Sequence, residues 1–144
     1  MIALRKNLTI FPVCYTRNMM KQYASTILRI GLAGVFLWFG INQIIDPSAW
    51  FGYIPQSIVS LTGMTVATLV HYNALFEILA GTMLLLGLFT RVVAFILFLH
   101  ILDISLVVGL NDSIGIRDLG LSVATFVIFL NGMDTWTLDR YIRS

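Results

Sequence analysis

Four stretches of this chain are long and apolar enough to cross a lipid bilayer, and no other feature restricts its fold so severely. A helix through the hydrocarbon core needs ~20 mostly apolar residues. The candidates run approximately over 27–45, 66–89, 92–110 and 113–130. The first carries only Arg29, near its start, the second only Glu77, and the third only Asp103. The fourth has Arg117 and Asp118 close to its start. Four such spans take up ~80 of the 144 residues, so no separate soluble domain fits. The expected organisation is a polar N-terminal segment, 1–22, followed by one transmembrane domain over 23–144.

Composition supports this reading. Hydrophobic residues make up 58% and charged residues 11%, where a soluble chain runs near ~45–50% and ~25%. Nine basic and seven acidic residues cannot cover a soluble domain of this size. Disorder is excluded, because it needs low hydrophobicity and high net charge. A formal charge of +2 supplies no basic stripe, so nucleic acid is not an expected partner. With Cys14 alone, an intrachain disulfide, a CxxC redox pair and a Cys-based zinc site are all excluded.

The breaks between spans are readable. Asp46-Pro47 ends the first, since the residue before a proline is pushed out of the α region. Gly87 to Arg91 links the second and third tightly, and Gly109 to Ser113 supplies turn residues and a helix N-cap before the fourth. Short links make neighbours antiparallel, which predicts an all-α, up-down four-helix bundle embedded in the membrane.

Basic residues near the span ends predict both termini on the cytoplasmic side. Arg5, Lys6, Arg17 and Lys21 precede the first span, Arg91 lies between the second and third, and Arg140 and Arg143 close the tail. Between the first two spans there is no Lys or Arg. Lys21 followed by an apolar run resembles a signal peptide, but the run extends to a full span with no A-x-A-like site, so an uncleaved helix is expected. Met19 and Met20 offer alternative starts that would place residues 1–18 outside the native chain. The connection from Asp46 to Pro55 is rich in aromatics and is expected to lie along the outer interface as an anchor, with Asp46 capping a short helix that begins at Pro47.

With that topology the polar side chains gather in the outer half. Asn42 and Gln43 end the first span, Asn73 precedes Glu77 by one turn, and Asp103 is ~10 Å deep with His100 one turn deeper. Arg117 and Asp118 enter from the outer side. The inner half reads as plain hydrocarbon, with Arg29 near enough to the edge to snorkel. Asn73, Glu77 and Gly81 share one helical face, and Gly81 leaves room for another helix beside the carboxylate. Gly31 with Gly34, and Gly115 with Gly120, read as further helix contacts. Three carboxylates facing one certain cation make a cluster that must share protons to be tolerated, suited to proton transfer or to a quinone head. The competing reading is structural, with Arg117 paired to Asp103 or Glu77 merely fixing the bundle. His71, near the surface, is expected to be solvated or hydrogen-bonded. His71 and His100 differ in depth by ~7 Å, which disfavours shared haem ligation. There is no covalent attachment motif, and no zinc pattern.

Several of these residues fall in a pattern that resembles the DoxX family of small four-helix membrane proteins. The resemblance rests on Arg29-Ile30-Gly31 and Gly40-Ile41-Asn42-Gln43 in the first span, Glu77 with Gly81 and Leu84-Leu85-Leu86-Gly87-Leu88-Phe89-Thr90-Arg91, Arg117-Asp118-Leu119-Gly120-Leu121, and Leu138-Asp139. It covers roughly residues 20–140. The family takes its name from a subunit associated with thiosulfate:quinone oxidoreductase, so the resemblance implies a redox-complex setting in a prokaryotic plasma membrane. Where this chain has Gln43, such proteins often have a basic residue. Carried over as site candidates are Glu77, Arg117 and Asp118, which join Asp103, His100, Asn73 and Asn42 from the cluster. The leading expectation is a small subunit or accessory of a quinone-linked oxidoreductase, with quinone as ligand and a partner supplying the redox centre. A non-enzymatic scaffold and an oligomeric proton-coupled transporter are the alternatives.

Overall fold

The computed structural model describes residues 10–134 and 136–139, with the side chains of 10–19, 21 and 22 outside the description. Cys14, Arg17 and Lys21, most of the polar segment 1–22, and Arg140 and Arg143 therefore contribute no side-chain geometry. Within the described residues the chain is helical, ordered as α1 (Ile10–Ile45), a 3-10 helix (Pro47–Tyr53), α2 (Gln56–Thr62), α3 (Val66–Leu86), α4 (Thr90–Val108) and α5 (Ser113–Asn131). Four segments have the length and hydropathy of membrane spans: Tyr23–Ile45, Val66–Leu86, Thr90–Val108 and Ser113–Asn131.

The spans agree with the apolar runs, and the differences lie at their ends. α1 begins well before its apolar part. Its only proline, Pro12, falls in the first turn, where no intrahelical N–H is lost. α3 stops at Leu86, short of the expected Phe89, because Gly87 adopts a left-handed φ of 69°. The Gly87 N–H bonds to Leu84 O, and the Leu88 N–H reaches Met83 O at 2.9 Å, the pair of bonds that closes a Schellman C-cap. At the other end Thr65 caps α3 by accepting from the Thr68 N–H, and Asp112 caps α5 by accepting from the Ile114 N–H at 2.7 Å.

α1 packs chiefly against α3 and α4 chiefly against α5, and the two pairs meet more loosely. Glycines allow the first pairing. A Cβ on Gly40 would sit 2.8 Å from Ala74 O, and one on Gly81 would sit 3.3 Å from Ala33 O. Gly115 plays the same part in the α4–α5 turn, where its missing side chain admits the Gly109 carbonyl. Gly31, Gly34 and Gly120, by contrast, face open space and are not helix contacts. On the second pair, Phe95 packs at a tilt against Phe129 and Phe98 against Phe126, with ring centroids 5.1 and 4.9 Å apart. Between the pairs a core runs through Ala33 and Phe36 of α1, Leu84 of α3, Leu97 and Ile101 of α4, and Ile128 of α5. Large apolar side chains such as Ile27, Leu79, Leu99 and Leu130 point outward, which suits lipid rather than water.

The end of the bundle that carries the α3–α4 link departs from the expected plain hydrocarbon. Arg29 does not snorkel; it is 1% exposed and every nitrogen is engaged. Its Nε donates to Asp134 Oδ2 at 2.9 Å, Nη1 to the carbonyls of Leu84 and Leu85 at 2.6 and 2.7 Å, and Nη2 to Trp136 O at 2.8 Å. Leu84 and Leu85 lie in the last turn of α3, beyond the reach of the regular i to i+4 ladder, and Leu84 O also takes the Gly87 N–H. Arg29 thus caps α3 from α1 while holding the segment after α5. That segment reciprocates at α4, where Asp139 Oδ1 accepts from the Phe89 N–H and Oδ2 from the Thr90 N–H and hydroxyl, at 2.7 to 3.0 Å. Phe89, the residue before α4, has a φ of 48° and no side-chain cap of its own.

Candidate functional site

The opposite end, which carries the α1–α3 connection and the α4–α5 turn, holds the polar groups picked out from the sequence. Glu77 lies on the buried face of α3 and is 2% exposed. Its Oε2 accepts from Gln43 Nε2 at 2.8 Å and its Oε1 from Asn73 Nδ2 at 3.0 Å. Asn73 Nδ2 also donates to Gln43 Oε1 at 2.9 Å, which closes a three-residue ring. Both amides turn their NH2 groups to Glu77 oxygens, which fixes their orientation. From α4, His100 Nε2 approaches Glu77 Oε1 to 3.6 Å; it is buried and has no hydrogen-bond partner among the described residues. The ring stands edge-on to Phe76 at 4.7 Å between centroids.

Arg117 and Asp118 form a second group rather than joining the first. Arg117 Nε and Nη2 both lie 2.8 Å from Oδ1 of Asp118, its neighbour in sequence, so the guanidinium is committed to α5 and pairs with neither Glu77 nor Asp103. Asp118 is buried while Arg117 is 46% exposed, with its guanidinium 5.0 Å above the Phe39 ring.

Both groups border one cavity of about 570 Å³. Glu77, Asn73, Gln43 and His100 supply one polar wall and Arg117 with Asp118 another. Aromatic side chains of α1 and the 3-10 helix, namely Trp38, Phe39, Trp50 and Tyr53, line the side toward the connection. Phe39 and Trp50 meet edge-to-face at 5.7 Å. The connection therefore does more than anchor, since it walls the cavity. Asp46 precedes the 3-10 helix as expected, with Pro47 in its first turn, and its carboxylate accepts from the Ser48 hydroxyl at 2.5 Å. That bond holds the Asp46 carboxyl below its ordinary value of 3.8.

The remaining candidates divide. Asp103 lines the cavity from α4 and has no partner among the described residues. Asn42 borders it too, though its amide is turned back to the Trp38 carbonyl of its own helix at 2.7 Å. His71 is exposed, with Nδ1 2.7 Å from Ala67 O. Among the described residues no three His, Cys, Asp or Glu side chains converge as a metal site would require. Gln43 is the functional candidate that sequence reasoning passed over in favour of Asn42. A signal was present, since Arg29, Ala33, Phe36, Gly40 and Gln43 recur at three and four residues and form the buried stripe of α1.

No curated protein and no solved structure matches this chain. A family model does, over residues 24–109, and it takes in α1 from its apolar part, the walled connection, α3 with Asn73 and Glu77, and α4 with His100 and Asp103. The chain is thus a multi-pass membrane protein that belongs to the DoxX family.

Proposed function

We propose that the cavity receives the head of a membrane quinone, and that the protein serves as a small subunit or accessory of a quinone-linked oxidoreductase whose partner carries the electron centre. The observation that carries this reading is the cavity's composition. Flat aromatic surfaces and polar groups able to bond a ring's oxygens share about 570 Å³ at one end of a membrane bundle. Ligand sites of this kind are mostly apolar with a few convergent polar groups, and ionisable residues inside a membrane mark functional positions. The basic residues of the sequence favour both termini on the cytoplasmic side, which turns the cavity toward the outer leaflet, and the family resemblance favours a plasma membrane. A scaffold reading draws on a different fact: Gln43, Asn73 and Glu77 already satisfy one another without a ligand.

The test is a titration of the protein in nanodiscs with decylubiquinone, comparing the parent with Glu77→Gln and Arg117→Gln. Saturable binding that weakens in both folded variants supports the site. No saturable binding, together with variants that only melt earlier, leaves the scaffold in its place.

A further inference from the structure

The quinone reading makes no use of the charge around the cavity, and that charge is one-sided. Asp46, Glu77, Asp103 and Asp118 all line it, and Arg117 is the only lysine or arginine among the described residues that does. Arg117 is already matched, since its Nε and Nη2 both lie against Asp118 Oδ1. His100, when it carries a second proton, answers Glu77, which its Nε2 faces at 3.6 Å. Asp46 and Asp103 are exposed at the cavity, with no cation against either among the described residues. The Ser48 hydroxyl holds the Asp46 carboxyl below 3.8, so this group is ionised at neutral pH. Asp118, though 5% exposed, keeps an Oδ2 that takes no hydrogen bond among the described residues.

The aromatic wall suits the same sign of ligand. Trp50 stands at 82° to Phe39 and at 59° to Tyr53, with centroids 5.7 and 6.1 Å away, so the three rings turn corners instead of stacking flat. Ring faces are negative and attract a cation within about 6 Å of the centroid, tryptophan most strongly. The chain demonstrates this at Phe39, where the Arg117 guanidinium rests 5.0 Å from the ring centre. Low-dielectric walls that carry one sign of charge also focus the field inside a cleft. A bare metal ion does not fit, because no three His, Cys, Asp or Glu side chains among the described residues converge to replace its water. An alkylated ammonium fits, since aromatic faces and carboxylates together recognise such groups without stripping a tight water shell.

We infer that the cavity binds a monovalent organic cation, an alkylated amine or quaternary ammonium, with its charge between the Trp50 and Tyr53 rings and the surrounding carboxylates. A space of about 570 Å³ holds such a group together with a ring or short chain attached to it. Free amines and phospholipid headgroups both offer this chemistry. The site needs no quinone, so it stands whether or not the reading above does.

The experiment titrates the whole protein in dodecyl maltoside, at neutral pH, with choline and with dimethylbutanol, its uncharged carbon isostere, by ligand-observed NMR. The parent is expected to bind choline about fivefold more tightly or better, the scale of one charge at contact in water. Trp50→Leu is expected to weaken choline about two- to fivefold, the scale of one cation–π contact, and Trp50→Phe to keep most of the affinity. Asp103→Asn changes an exposed side chain that holds no other part of the described fold. It should weaken choline by a similar factor and leave the alcohol unmoved. Equal affinities for the two isosteres, or a preference that survives both Trp50→Leu and Asp103→Asn, overturns the inference. Displacement of choline by dihexanoylphosphatidylcholine but not by dihexanoylphosphatidylglycerol supports a lipid headgroup as the source, and displacement by neither supports a free amine. Decylubiquinone titrated on the same samples reports on the quinone reading separately, so failure of one ligand to bind leaves the other result standing.

Discussion

Gln43 Nε2 and Glu77 Oε2, 34 residues apart, meet at 2.8 Å and join α1 to α3 inside the membrane domain. Gln43 is itself 2% exposed, so its amide cannot exchange this bond for one to water. Replacing it by leucine strips Oε2 of its donor and Asn73 of one of its two acceptors. Gln43→Leu is expected to destabilise the protein by about 1–3 kcal/mol, the cost of leaving such groups unsatisfied. Adding Glu77→Leu in the same chain should restore part of the loss, because both halves of the pair are then gone. Thermal unfolding of the single and double variants in nanodiscs gives the coupling, and a single variant that melts with the parent refutes it.

Arg29 bears a heavier load at the opposite end. Arg29→Met leaves Asp134 buried without its cation and the Leu84 and Leu85 carbonyls without the guanidinium. Breaking a buried ion pair from one side costs about 3–5 kcal/mol. Asp134→Asn keeps a hydrogen-bond acceptor for Nε and should cost less. If Arg29→Met lowers the melting temperature no more than Asp134→Asn, the carbonyl contacts contribute nothing.

Asp139 acts as a remote N-cap for α4, accepting from Phe89 and Thr90 across about fifty residues of sequence. Asp139→Ala is expected to cost about 0.5–2 kcal/mol, as lost caps do. The loss should be local. Hydrogen exchange at Phe89 and Thr90 is the measurement, and unchanged protection there would count against the cap.

Glycines of α1 separate by position. Gly40→Ala places a methyl 2.7 Å from the Ile78 side chain and 2.8 Å from the Ala74 carbonyl, so α1 and α3 must part, at about 1–3 kcal/mol. Gly31→Ala meets nothing within 4 Å and should be neutral or stabilising, since alanine is the better helix former. Equal melting temperatures for the two variants would show that the close approach has no energetic weight.

Asp46 lies just beyond the end of α1, where the Ser48 hydroxyl, opposed by partial desolvation and assisted by the Ala49 and Ser48 backbone, lowers its carboxyl below 3.8. A depressed carboxyl stabilises the fold above its ordinary value, and that contribution is lost as pH falls through the lowered one. Ser48→Ala should return the Asp46 titration toward 3.8, read from carboxyl carbon shifts. No movement would mean that the hydroxyl contact is not the cause.

How far the sequence could be read differs between lengthwise and sideways information. The run from Val66 showed α3, and Gly87 marked its end, because length, hydropathy and turn chemistry are local. That other polar side chains converge on Glu77 was likewise legible, since a lone carboxylate in an apolar span must find partners. Arg117 misled the reading for a sideways reason. Its charge suggested a partner on another helix, whereas Asp118 beside it satisfies the fork without any fold at all. Gly31 and Gly34 misled similarly, because spacing alone does not say which face of α1 meets protein and which meets lipid.

The sequence by itself determined that the chain crosses a membrane as four helices, roughly where each apolar run lies, and that Asn73, Glu77, His100, Arg117 and Asp118 gather toward one end. These follow from hydropathy and backbone chemistry acting over a few residues. Only the tertiary structure decided that Gln43 rather than Asn42 meets Glu77, that Arg29 is locked to Asp134, and that the connection walls a cavity with aromatic rings. In an apolar solvent every helix face is acceptable to lipid, so hydropathy no longer distinguishes inside from outside. The choice passes to packing at Gly40 and Gly81 and to the pairing of buried polar atoms.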